Sequence, residues 1–160
     1  MLRVVSSRLF MFNNPALQEI IIFTHFVATV GMFAVIWFVQ ISHYPLLNYV
    51  PRECFKEYER AHIYRVSFIV GPLMLIEVFT SASLLFFPAS GMLLYLIWTG
   101  FLLVIVNWLS TLILQIPCHR RLEIGKDDLA ISKLIRTNWI RTISWTLRAG
   151  IAVSIVILMK

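Results

Sequence analysis

The chain has 160 residues, of which 59% are hydrophobic and only 14% charged, and its formal net charge is +6. That balance excludes an ordinary soluble domain and points to a chain that lives in a bilayer. No basic stripe with interleaved stacking aromatics lies outside the apolar stretches, so no nucleic-acid partner is expected. Membrane topology and anionic lipid account for the excess positive charge.

In chain order, residues 1–14, "MLRVVSSRLFMFNN", carry two arginines, two serines and no acid. This resembles a transit peptide in composition, but the simpler reading is an amphipathic stretch lying in the interface. The first long apolar run, about 20–41, exceeds the roughly 7–15-residue core of a signal peptide, and no small-residue cleavage site follows, so it is expected to remain. "QISHYPLLNYVP" ends it, with Pro45 and Pro51 as helix stops. "YERAHIYR" opens the second helix, where Tyr58, His62 and Arg65 share a face. A second span is expected over about 66–87, with Pro72 inside it as a kink, and a third over about 92–114. Near the end of the third, Asn107, Thr111 and Gln115 repeat every fourth residue and lead to His119 in "QIPCHRRLEIGKDD". The fourth span, about 139–159, begins with "NWIRTISWTLR", which sets Asn138, Arg141, Trp145 and Arg148 on one stripe. The fold class that follows is all-α, an integral membrane four-helix bundle, with residues 1–160 forming a single transmembrane domain.

Orientation follows from the basic residues. The 42–65 and 118–138 connections and the start of the fourth helix hold Arg52, Lys56, Arg60, Arg65, Arg120, Arg121, Lys126, Lys133, Arg136 and Arg141, whereas the other side holds Arg3, Arg8 and Lys160. The positive-inside rule makes the connections cytoplasmic and places both termini on the non-cytoplasmic side, in a bacterial inner membrane. Cys54 and Cys118 then face a reducing compartment, and no structural disulfide is expected. There is no CxxC pair, no phosphate-cradling glycine loop and no repeat of the kind that builds an inverted-repeat transporter.

Two clusters invite a functional reading. His43, His62 and His119 lie at one membrane boundary on three helix ends, and three imidazoles can ligate Zn, Cu or Fe, or serve a haem, with Glu59 or water completing the shell. The competing reading is that they hydrogen-bond to backbone carbonyls and headgroups, since no HxxxH or HExxH spacing occurs. His25 belongs to the opposite membrane half, as an isolated core histidine or as one ligand of a separate group, the former being the simpler reading. Glu77 and Arg148 reach nearly equal depth, about 22 Å and 15–18 Å along their helices. A lone charge there costs about 2.5–3.5 kcal/mol or more, so the two are expected to compensate each other, directly or through Asn107.

The polar residues thus suggest a funnel from the cytoplasmic face to mid-membrane, against which stands ordinary helix glue. In the functional reading Glu77, Arg148 and Arg141 are catalytic, Asn107, Gln115 and Trp145 bind a cofactor or ligand, and His43, His62 and His119 are metal ligands. The other tryptophans read as interface or core packing. Tyr44, Tyr58 and Tyr64 read as an aromatic belt or as hydrogen-bonding partners of the histidines.

"WFVQISHYPLL", "FKEYERAHIYRVSFIVGPLMLIE", "NWLSTLILQIPCHRRLEIGKDD" and "NWIRTISWTLR" together resemble a group of uncharacterised small bacterial four-helix membrane proteins, from Trp37 to Arg148. The four-span layout, the Pro-then-basic turn after the third helix and the "WTLR" ending are more weakly similar to the anthrone-oxygenase-like membrane family. That similarity implies oxidation of a lipophilic substrate. This chain departs from it in the longer "PCHRRLEIGKDD" turn and in "HYPLL", so no catalytic residue carries over.

The expected function is a small membrane oxidoreductase, dependent on a metal or haem, acting on a quinone or aromatic compound. The alternative is a non-enzymatic membrane subunit or a module that binds lipid or a partner helix. A proton or small-solute pathway ranks third. Its partners are expected to be membrane lipid, a lipophilic small molecule, and a second copy of the chain or another membrane subunit.

Overall fold

A computed structural model describes residues 14–159. The stretch expected to lie in the interface, 1–14, therefore falls outside the described residues except for Asn14. Four helices make up the fold: α1 (Pro15–Tyr49), α2 (Arg52–Leu84), α3 (Gly91–Leu122) and α4 (Asp128–Leu158). Each is long and apolar enough to cross a bilayer, and no strand occurs among the described residues.

The helix ends are written in local chemistry. Asn14 accepts the Ala16 and Leu17 N–H groups, with Pro15 in the first turn of α1, where its missing N–H costs nothing. Asp127 does the same for Leu129 and Ala130 at the start of α4. The Ala130 N–H, helped by the nearby Arg121, holds the Asp127 carboxyl below the usual carboxylate range. Gly91, with φ +56°, turns the chain into α3 in the left-handed region that a side chain disfavours.

Two helices begin earlier than the apolar runs suggest. Helix α2 starts at Arg52 and α4 at Asp128, so the segments read as cytoplasmic connections are mostly helix. Their polarity conceals a buried face: Phe55 and Glu59 in α2, Ala130, Ile131, Leu134 and Asn138 in α4. A window searching for apolar residues on every side passes over such amphipathic turns.

Pro45 does not end α1 as expected. The helix continues to Tyr49, just before Pro51. A π turn over Val39–His43 precedes Pro45, and the Tyr44 N–H reaches five residues back to the Val39 carbonyl. Helix α3 repeats the device, with a π turn over Thr111–Gln115 ahead of Pro117 and the Ile116 N–H bonded to the Thr111 carbonyl. A proline takes away one donor, and the wider turn shifts the neighbouring bonds to accommodate the loss. Helix α2 likewise runs through Pro72 without interruption.

The helices form a ring. α1 packs on α2 and α4, α4 packs on α3, and α2 and α3 touch least, so the wall opens between them. The interior holds three apolar layers, built around Leu47, Phe55 and Leu134 at one end, Met32, Met74 and Trp145 in the middle, and Leu84, Ile97 and Ile155 at the other. Phe23, Phe38, Phe79, Ile113 and Ile143 point outward and are exposed. An apolar exterior around a partly polar interior is the arrangement suited to a lipid solvent.

Candidate functional site: a lateral cleft with a buried relay

The gap between α2 and α3 opens a cleft of ≈490 Å³ whose floor is α1 and one residue of α4, Arg141. Val66, Val70 and Leu75 line one wall, Trp108, Leu112 and Ile116 the other. Polar groups gather at one end: Tyr44, His62, Gln115, His119 and Arg141. The two π turns lie beside this polar end, and they set its register. A π turn makes residues five apart neighbours, so the Ser110 hydroxyl donates to Gln115 Oε1 at 3.0 Å. The Gln115 amide then donates to Thr137 on α4 at 3.2 Å.

At the polar end three side chains from three helices form a line. The Glu59 carboxylate, fully buried, lies 2.6 Å from His119 Nδ1. His119 Nε2 lies 3.1 Å from the Tyr44 hydroxyl, and the Arg141 guanidinium stands beside that hydroxyl. If the tyrosine O–H donates to Nε2, the remaining ring proton sits on Nδ1 and donates to Glu59 Oε1, which engages both ring nitrogens and leaves Glu59 Oε2 without a partner. Sequence reasoning placed Tyr44 in an aromatic belt or as a hydrogen-bonding partner of the histidines, and Glu59 only as a metal-shell companion. The available signal was the four-residue spacing from Phe55 to Glu59, which places an acid on a buried face.

Arg141 is held from behind. Its Nη1 donates to Asn138 Oδ1 at 3.3 Å, and Asn138 in turn donates to Gln40 Oε1 at 2.9 Å. The Trp145 ring lies 5.1 Å from the guanidinium carbon, a cation–π contact. Arg141 is 5% exposed, its Nε has no hydrogen-bond partner, and no carboxylate forms an ion pair with it among the described residues.

The three histidines expected as metal ligands do come together. The His43 and His62 rings stack face to face with centroids 4.0 Å apart, and His62 lies 6.0 Å from His119. Stacked rings direct their nitrogens along the ring planes rather than toward one point, and both nitrogens of His119 are already engaged by Glu59 and Tyr44. Among the described residues no group of three or more His, Cys, Asp or Glu is placed to hold a metal ion. His43 and His62 also border a second cleft, of ≈710 Å³, between α1 and α2 with Phe38, Tyr58, Arg65 and Ile69.

Glu77 and Arg148 meet directly, without Asn107. Glu77 Oε1 accepts from Arg148 Nε at 3.0 Å and Nη2 at 2.9 Å, while Oε2 accepts from Trp145 Nε1 at 2.8 Å. Arg148 also donates to the Gly100 carbonyl. This cluster ties α2 to α4 across the bundle and α4 to α3, and neither charged residue lines either cleft. Trp145, expected to touch a ligand, is fully buried and committed to Glu77. Asn107 is 1% exposed, and neither atom of its amide has a partner. In the other half of the bundle His25 bonds Thr80 at 3.0 Å, as a core histidine. Cys54 is exposed and Cys118 buried, both as free thiols.

The fold and site together define a class: an all-helical bundle of four membrane-length helices with a lateral, mostly apolar cleft ending in a buried arginine and a carboxylate–imidazole–phenol line. No protein-family model matches the chain, and neither a curated protein nor a solved structure does.

Proposed function

We propose that this is an integral protein of a bacterial inner membrane, with its basic connections in the cytoplasm, and that the α2–α3 cleft binds a lipophilic molecule entering sideways from the bilayer. The molecule's apolar body lies among Val66, Val70 and Leu112, and its oxygen-bearing head reaches Arg141 and Tyr44. A volume of ≈490 Å³ falls within the range of about 300–1,000 Å³ usual for small-molecule sites.

The observation that carries this reading is Arg141. A buried guanidinium without a carboxylate is costly in an apolar setting, and an electron-rich oxygen at the head of the cleft compensates it. Quinones and oxygenated aromatics suit such a head, in keeping with the weaker family similarity. The binding role has more support than a metal- or haem-dependent one, because the histidines are stacked and His119 is engaged on both nitrogens.

Trp108 lines the cleft and supplies a readout. A short-chain quinone added to the purified protein should quench tryptophan emission saturably, and Trp108→Phe should remove most of that quenching. Loss of a charge-assisted hydrogen bond costs about 1.5–3 kcal/mol, so Arg141→Gln should weaken binding by about 10- to 150-fold. Unchanged affinity in a folded Arg141→Gln variant would overturn the assignment.

A further inference from the structure

The charges at the head of the cleft restrict what binds there. His119 is faced by Tyr44 and His43 from α1, Glu59 and His62 from α2, and, through Tyr44, Arg141 from α4. With His119 and Tyr44 neutral, Glu59 and Arg141 cancel in sum, as do Arg120 and Glu123, the charged residues besides Arg141 that line the cleft. Yet they stand at opposite ends of the line, each without a full partner: Glu59 Oε2 and Arg141 Nε have no hydrogen-bond partner. An anion brought in from outside would satisfy Arg141 but leave Glu59 uncompensated, with a net negative charge buried at the site. A ligand that stays neutral would give Arg141 an acceptor but no counter-charge, and Glu59 nothing.

We infer that the cleft takes up a lipophilic molecule bearing an acidic O–H, a phenol, an enol or a carboxylic acid, in its neutral form, and ionises it in place with the proton retained on His119. The inference rests on the cleft reading above. The ligand O–H bond breaks and its proton passes to the Tyr44 oxygen, while the Tyr44 proton passes to His119 Nε2. The ligand becomes an oxyanion against Arg141, and His119 becomes an imidazolium against Glu59. No charge enters or leaves, Tyr44 ends as it began, and two separated buried charges become two adjacent ion pairs. Geometry supports the inner hand-over, with 3.1 Å between Tyr44 and His119, and the hold of Glu59 on the ring at 2.6 Å, both within hydrogen-bond reach. Tyr44 and His119 move the proton, and Glu59 is a positioning residue that stabilises the imidazolium.

The test uses the full chain in detergent and a 4-nitrophenol carrying a long alkyl chain, whose visible absorption reports its ionisation. At a pH about one unit below the probe's transition in empty micelles, the bound probe should absorb as the phenolate. A weakly buffered medium should then gain far less than one proton per phenolate formed. In Tyr44→Phe and in Glu59→Gln, retention should fail: the probe stays neutral, or about one proton per phenolate appears in the medium. Thermal unfolding confirms that each variant is folded, and the wild-type proton count stands without either.

Competition by an unlabelled alkylphenol and by a long-chain carboxylic acid separates the two sources of an acidic O–H. A full proton released by the wild type, or a bound but neutral probe, would overturn this inference and leave the cleft reading intact. Failure of the probe to bind, or binding indifferent to Arg141→Gln, would overturn both.

Discussion

The pair Glu77–Arg148 offers the sharpest test of how this bundle is held together. Both side chains are almost wholly buried, at 2% and 1% exposure, and Oε1 of the carboxylate receives two bonds from the guanidinium. In Glu77→Gln the charge disappears, and the new amide must present either its oxygen to Arg148 or its oxygen to Trp145, not both. Breaking one side of a buried ion pair costs about 3–5 kcal/mol, and Arg148→Met, which leaves the carboxylate uncompensated, should cost about the same.

The double variant Glu77→Leu, Arg148→Met removes both charges. It leaves only the Trp145 N–H without a partner, because the Gly100 carbonyl lies inside α3 and keeps its helical bond; the cost is about 1–3 kcal/mol for a buried group left unsatisfied. The double change should therefore be less harmful than the sum of the singles by several kcal/mol. Reversible unfolding in mixed micelles measures the three variants on one scale. Additivity within about 0.5 kcal/mol, the behaviour of independent sites, would refute the reasoning.

Three smaller predictions follow from the same structure. Cys54 is exposed and Cys118 buried, so a membrane-impermeant maleimide should label Cys54 in inverted vesicles and spare it in sealed right-side-out ones. Labelling from the outside would reverse the proposed orientation. Asp127 has a lowered carboxyl pKa, so its capping contribution is present above the unfolded value, about 3.9, and fades as pH falls through the lower folded value. Hydrogen exchange at Leu129 and Ala130 should accelerate in Asp127→Ala at neutral pH, and the variant and wild type should converge in strong acid. Gly91→Ala should destabilise the α2–α3 turn by about 1–2 kcal/mol, seen in thermal unfolding, because φ is +56° there.

Much of the architecture was legible in the residues. Apolar runs of membrane length have few alternatives to a spanning helix, and the four helices lie where those runs are. The stripe Asn138, Arg141, Trp145, Arg148 is buried along its whole length, because a spacing of three and four residues holds one helix face regardless of neighbours. The pairing of Glu77 with Arg148 was readable too, since depth along a helix is counted in residues and an unpaired charge at depth is too costly to keep.

Other features were decided only by tertiary structure. The long starts of α2 and α4 depend on Phe55, Glu59, Ile131 and Leu134 finding a core to enter. The π turns before Pro45 and Pro117 shift the register of everything beyond them, so a count of every fourth residue from Asn107 no longer describes one stripe at His119. Above all, the sequence cannot state the rotation of each helix about its axis. Three histidines at one level could have pointed their nitrogens at a common centre. Packing instead stacks His43 on His62, turns His119 between Glu59 and Tyr44, and leaves Arg141 facing the cleft. Length, apolarity and depth are one-dimensional and belong to the sequence, whereas the direction of a side chain belongs to the neighbours that the whole bundle brings against it.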